Sequence, residues 1–231
     1  MELNRIKTVA FDADDTLWAN EHIFQEAREN SYALVKDFVS REDWAKATFD
    51  MEIHNLSLYG YGVKSYVLSL IEAALKISGG KIPQYLIGKM LEIGKDMLNH
   101  PVKLLPDVKE TLETLSGNYK LFMITKGELL EQEGKIKRSG VAELFSNIEI
   151  VSEKDEKTYS NLLDKYAIPR NEFMMVGNSL KSDVLPVCKI GGHGIHIPYH
   201  VTWEWEVPKN REEEVSYIEL ERINMIPELL K

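Results

Sequence analysis

A chain of 231 residues and 26.5 kDa is long enough for one large domain or for a domain with a sizeable insertion, and too long for a disulfide-stapled mini-protein. Its 44% apolar and 28% charged residues are the proportions of a chain that buries a core in water. The formal net charge of −9, from 28 Lys and Arg against 37 Asp and Glu, opposes attraction to nucleic acid or to an anionic membrane, so neither is an expected partner. A single Cys188 admits no internal disulfide, no run of about 18 apolar residues occurs, and the expected location is cytoplasmic, with no obligatory protein partner inferred.

Residues 6–11 are a short, mostly apolar run ending in a cluster of aspartates, the pattern of a strand buried on both faces. Then the rhythm breaks. Helices predicted over 21–39, 41–55, 65–77 and 83–99, separated by Tyr59-Gly60-Tyr61-Gly62 and Ser78-Gly79-Gly80, point to a four-helix insertion. After Pro106, strands predicted at 119–125, 148–151, 172–176 and 194–197 alternate with helices at 107–116, 128–139, 155–166 and 181–190. This alternation predicts a wound, parallel, Rossmann-like α/β core carrying an inserted all-helical cap domain. The expected division is 1–17 with 105–231 for the core and 18–104 for the cap, with short hinges near 16–20 and 103–106. The charge run at 211–214 reads as solvated surface.

Open parallel sheets bind ligands outside the carboxyl ends of their strands, which makes the residues at each strand end informative. The first strand ends in Asp12-Ala13-Asp14-Asp15-Thr16, placing two carboxylates two residues apart. The second ends in Thr125-Lys126-Gly127, a hydroxyl followed by backbone amides at a helix start, which suits a phosphate. The third offers a cation in Ser152-Glu153-Lys154, and the fourth a glycine turn carrying Asn178 and Asp183. Together they present a nucleophile, an anion cradle, a cation and oxygen ligands for a hard metal.

In this motif order the chain resembles the haloacid dehalogenase superfamily of aspartate-nucleophile hydrolases over nearly its whole length. The first motif matches Asp12 to Thr16, the second Thr125, the third a lysine after the third strand, and the fourth Gly177-Asn178 to Asp183. The insertion resembles the family's helical cap, which covers the site and selects substrates. The resemblance implies that Asp12 attacks phosphorus to give an aspartyl-phosphate, and that Asp14 protonates the leaving group and then activates water. It also implies that Lys154 restrains the nucleophile and that Mg2+ is held by Asp12, the Asp14 carbonyl, Asn178 and Asp183. The expected activity is magnesium-dependent hydrolysis of a small phosphorylated metabolite, with Thr125 and Lys126 on the phosphate.

Two features depart from the pattern or leave it open. The family usually has Asp where Asn178 stands; an amide oxygen ligates magnesium, but one negative charge is lost. Lys154 and Lys157 both follow the third strand, and Lys154 is preferred because it lies on the strand-end loop. The alternatives are a 2-haloacid dehalogenase or phosphomutase of the same fold, or a non-catalytic phosphate-binding regulatory protein. His193, His196 and His200 read as structural or loop residues, since positions three apart on a strand face opposite sides. His22, His54 and His100 read as surface residues and Cys188 as packing. The aromatic segment 198–206 follows the fifth strand, so His200 and Trp203 join Trp18, Asn20 and Glu21 as candidate substrate-pocket residues, against a plain packing role.

Overall fold

The computed structural model describes residues 3–201, 203–207 and 215–231, so Thr202 and the 211–214 charge run lie outside the described residues. Its centre is a six-stranded sheet formed by β1 (Thr8–Phe11), β2 (Lys120–Lys126), β3 (Asn147–Val151), β4 (Phe173–Gly177), β5 (His193–His196) and β6 (Ile218–Glu219). The order is β3-β2-β1-β4-β5-β6, and every neighbouring pair is parallel. The α/β class expected from the sequence is therefore the one observed. β6 was not predicted; two residues carry no periodicity to read.

Side chains alternate across the central strands and build a layer on each face. Val9, Phe11, Leu121, Met123, Met174 and Val176 pack with α5 (Val108–Ser116) and the C-terminal α9 (Ile226–Leu229). Ala10, Phe122, Ile124, Phe173 and Met175 face the other way, onto Tyr159 and Leu163 of α7 (Glu156–Lys165) and Val187 of α8 (Leu185–Lys189). β1 is buried at all four positions, so its polar continuation can emerge only at the sheet's carboxyl edge.

The chain divides into two compact units, one of Met1–Glu21, Val102–Lys126 and Gln132–Lys231, the other of His22–Pro101 and Gly127–Glu131. The second contains nearly all of α1 (Glu21–Val35), with α2 (Arg41–Tyr59), α3 (Val63–Ile77) and α4 (Gln84–Asn99). Ser40 caps α2 by accepting from Asp43 N, and the helix runs past the predicted stop at 55 until Gly60, at φ 70°, ends it. Buried polar side chains pair between helices, with Trp44 Nε1 donating to Ser31 Oγ at 3.1 Å and Asn55 Nδ2 to Ser69 Oγ at 3.1 Å. Glu131, at the start of α6 (Leu129–Ser139), accepts the first-turn amide of Val63 at 2.8 Å, which a Gly62 without side chain leaves open. No helix among the described residues is long and apolar enough to cross a membrane.

After β4 the predicted helix 181–190 takes a different form. Leu180–Val184 makes a wider π-helical turn before α8 begins, with the Leu185 amide bonding to Leu180 O. Pro186 has no N–H to offer Ser182 O four residues back, and the buried Tyr159 hydroxyl donates to that carbonyl at 3.0 Å instead. This turn carries Asp183.

Candidate active site

Every side chain of the site described below belongs to the α/β unit. The loop after β1 is a tight turn: Asp12 N bonds to Val176 O at 2.9 Å, Leu17 N to Ala13 O at 2.8 Å, and Asp15 takes a left-handed φ of 61°. Outgoing and returning chains pair beside it, through Leu105 N to Leu17 O at 2.9 Å and Ala19 N to Lys103 O at 3.3 Å. The Asp15 carboxylate points forward along the chain, accepting Asn20 N at 2.7 Å and Glu21 N at 3.0 Å, where it caps α1. Burial pushes its carboxyl up to about 7 in spite of these bonds. Asn20 and Glu21, expected near a substrate pocket, therefore have their amides committed to Asp15.

Asp12 and Asp183 are both buried and share one cation. Lys154 Nζ, 4% exposed as a residue, bonds to Asp12 Oδ1 and, at 2.7 Å, to Asp183 Oδ1. Lys157, by contrast, is exposed on α7. Ser179 N donates to Asp183 Oδ2 at 3.0 Å, so both Asp183 oxygens are engaged. Burial pushes the Asp12 carboxyl up to about 7, against the pull of Lys154 and with the neighbouring Asp183 and Asp14 charges adding to the rise. For Lys154, burial works against the charge but the two carboxylates outweigh it, so its ammonium is held above the ordinary lysine range. The lysine is thus the firmly charged member, while Asp12 gains from any further positive charge brought near it.

The second oxygen of Asp12 faces a hydroxyl with more acceptors than protons. Thr16 Oγ1 lies 3.1 Å from Asp12 Oδ2 and 3.2 Å from Asn178 Oδ1, and it accepts Asn178 N at 3.1 Å. One hydroxyl proton serves either the Asp12 carboxylate or the Asn178 amide oxygen, and the other oxygen goes without it. A donor set of carboxylate and amide oxygens suits a hard divalent cation that keeps several waters. Among the described residues no cluster of three His, Cys, Asp or Glu side chains could hold a metal ion, so a metal here would also need the amide oxygen of Asn178 or backbone and water oxygens.

Asp14 is enclosed by donors. Its Oδ1 accepts Trp18 Nε1 at 2.7 Å, its Oδ2 accepts Gln132 Nε2 at 2.8 Å, and Lys135 Nζ reaches both oxygens at 3.0 and 2.9 Å. Lys135 also donates to Asn20 Oδ1 at 2.9 Å, and Gln132 to Lys126 O at 3.0 Å. Trp18 is only 1% exposed and sits in the core, so it contributes to Asp14 through its indole N–H. Gln132 Oε1 is buried, with no hydrogen-bond partner among the described residues. Gln132 and Lys135 escaped the sequence reading, although their spacing of three on α6 places them on one helix face.

Thr125 is buried at the carboxyl end of β2, in register with Ile150 of β3. Lys126 follows it, and its ammonium is already occupied: it bonds to Glu206, to Ser182 Oγ at 3.0 Å, and lies 3.6 Å from Glu153. His200 is exposed, its ring tilted at 47° to that of Tyr199 with centroids 4.2 Å apart, and Trp203 is half-buried ahead of a short turn at Glu204–Glu206. His196 makes a structural link, with Nδ1 on Glu219 at 2.9 Å and Nε2 on Asn178 O at 3.1 Å.

Comparison with known proteins bears on the same residues. The sequence model of the haloacid dehalogenase-like hydrolases matches residues 6–186, which takes in all four strand-end motifs. The chain belongs to that family. A haloacid dehalogenase-like hydrolase from Xanthomonas campestris is 36% identical to this hydrolase, with a TM-score of 0.87 over 98% of this chain and 91% of that one. A glyceraldehyde 3-phosphate phosphatase from Methanopyrus kandleri is 24% identical over 98% of this chain and 99% of its own. A pyrimidine 5'-nucleotidase from Escherichia coli is 26% identical over 146 residues, 58% of this chain and 61% of its own.

Proposed function

We propose that this hydrolase is a magnesium-dependent phosphatase that cleaves a small phosphorylated metabolite through an aspartyl-phosphate on Asp12. The observation that carries the reading is the setting of Asp12, a buried carboxylate at the end of the central strand, with Oδ1 on Lys154 and Oδ2 facing Thr16 and Asn178. A carboxylate is an adequate covalent nucleophile toward phosphorus, and phosphoryl transfer asks chiefly for positioning and charge neutralisation. Lys154 fixes the orientation of Asp12 and restrains the phosphoryl oxygens, while Thr125 offers its hydroxyl at the adjoining strand end. The phosphatase and nucleotidase relatives act, by their names, on small phosphorylated compounds, which supports the substrate class.

Charge at the site supports a metal. Asp12, Asp14, Asp183 and Glu206 stand against Lys126, Lys135 and Lys154, and each of these lysines is engaged by a carboxylate. A dianionic phosphate entering this set needs a further cation. Asp12 Oδ2, the Asp14 carbonyl, Asn178 Oδ1 and Asp183 would hold Mg2+, which supplies countercharge to the phosphoryl oxygens when bound. Asp14 serves the leaving group as acid and then water as base, and to hold a proton it must release one of the donors that enclose it.

The test is hydrolysis of an aryl phosphate by wild type and Asp12→Asn, with magnesium and with excess chelator, and acid-quench trapping of the phosphorylated enzyme. Turnover is expected only for wild type with magnesium, with a phosphoryl group trapped on the protein. Equal turnover in chelator, or by Asp12→Asn, overturns the reading.

A further inference from the structure

Glu206 stands out as an anion where a phosphatase would be expected to keep its cation available. Its Oε1 pairs with the Lys126 ammonium, and its Oε2 accepts from Ser179 Oγ and Ser182 Oγ, each at 2.6 Å. Both hydroxyls have their other interactions fixed: Ser179 Oγ accepts Ser182 N at 3.0 Å, and Ser182 Oγ accepts Lys126 Nζ at 3.0 Å. Their single protons are therefore both directed at Glu206. One ammonium at the end of β2 and two hydroxyls on the turn that follows β4 converge on a carboxylate delivered from a distant part of the chain. Burial works to raise the Glu206 carboxyl, but the Lys126 charge and the bonds from Lys126, Ser179 and Ser182 outweigh it and hold it below the usual range. Lys181 fixes the delivering turn by donating to Trp205 O at 2.8 Å and lying 4.1 Å over the Trp205 ring.

This arrangement is a built anion site with an internal occupant, and it adjoins the reacting groups on both sides. Lys126 follows Thr125, and its carbonyl is held by the same Gln132 amide that holds Asp14; Ser182 precedes Asp183. We propose that Glu206 is a specificity-determining residue, which fills an anion cradle of Lys126, Ser179 and Ser182 and so excludes phosphomonoesters bearing a second acidic group near the ester. The proposal rests on the phosphatase reading for its substrate consequence and on the contacts above for the cradle itself. With the carboxylate gone, the same three donors accept a carboxylate or a second phosphate from outside.

Two measurements on Glu206→Ala test it, in magnesium buffer at constant ionic strength. The first is thermal stability against acetate concentration: a saturable rise in Tm is expected for the variant and none for wild type, with chloride as control. The second is the ratio of kcat/KM for 3-carboxyphenyl phosphate to that for phenyl phosphate, expected to rise about tenfold in the variant, the scale of one charge-assisted hydrogen bond. Should Glu206→Ala fail to fold, Glu206→Gln keeps the shape, removes the charge, and is expected to raise the same ratio to a lesser degree. Equal acetate dependence in wild type and Glu206→Ala, or an unchanged substrate ratio in a folded variant, overturns the proposal. If wild type turns over neither ester, the phosphatase reading fails, and the acetate titration still decides whether the cradle exists.

Discussion

Gly177 and Asp183 approach so closely that a Cβ on the glycine would lie 2.2 Å from Asp183 Oδ2 and 2.3 Å from its Cγ. The strand end and the π-helical turn are pressed together at this point, and the missing side chain is what lets the carboxylate reach Lys154. Gly177→Ala should displace Asp183, cost about 1–3 kcal/mol of stability as an overpacked site does, and lower turnover. Denaturant unfolding with parallel activity assays checks both; a variant as stable and active as wild type would mean that the contact relaxes without consequence.

The shared cation makes Lys154 different from its exposed neighbour. Lys154→Ala leaves two buried carboxylates facing each other, so a loss of about 3–5 kcal/mol is expected, together with loss of turnover. Lys157→Ala should stay within about 0.5 kcal/mol of wild type and keep its activity. Unfolding curves for the pair settle the ranking, and the reverse order would remove Lys154 from the site.

Asn178 offers a test of the proposed metal site. Replacing its amide by a carboxylate beside Asp12 Oδ2 should lower the magnesium concentration needed for half-maximal activity, because the added charge attracts the cation. Without metal the same variant should be less stable than wild type, since Thr16 has one proton for two charged oxygens. Magnesium titrations of activity and of Tm for Asn178→Asp test this; an unmoved midpoint in both would place Asn178 outside the metal shell.

Burial pushes the Cys188 thiol up to about 11. Its thiolate fraction is therefore small at pH 8 and grows with each pH unit toward that value. Alkylation of the native protein should be much slower at pH 8 than that of the same cysteine in denaturant, and should accelerate up to the limit of native stability. Equally fast labelling in both states would contradict the packing role.

In the helical unit, a Cβ at Gly94 would lie 2.5 Å from Val67 Cγ2, so α3 and α4 meet through the glycine. Gly94→Ala is expected to cost about 1–3 kcal/mol, and Val67→Ala in the same chain should recover part of that loss. A double-mutant cycle by denaturant unfolding measures the coupling.

The sequence made the strand ends legible because each is an abrupt change from apolar to polar residues at a buried strand. Asp12, Lys154, Asn178 and Asp183 stand out this way as site candidates, and the structure brings them together, with Lys154 between Asp12 and Asp183 and Thr16 between Asp12 and Asn178. What the sequence withheld is chiefly partnership across long separations. Nothing near Glu206 in sequence marks it as the partner of Lys126, 80 residues earlier. Trp18 looked like a pocket aromatic, yet its burial and its indole N–H assign it to Asp14. The π-helical turn is not marked in the sequence either, and the Tyr159 hydroxyl that serves Ser182 O within it comes from 23 residues earlier.

The position of β1 also bears on the order in which the molecule is made. Thr8 pairs with Lys120 on one side and with Phe173 on the other, so the strand that carries Asp12 leaves the ribosome long before either neighbour exists. Its four buried residues stay without partners while more than a hundred further residues are added, a matter of several seconds or more at about 5–20 residues per second. The helices between Glu21 and Asn99 contact one another locally and can gather in that interval. Asp12 is thus made well before the strands that flank it, and its contacts are completed only once Lys154, Asn178 and Asp183 have followed, so the apolar β1 segment has to wait for its burial.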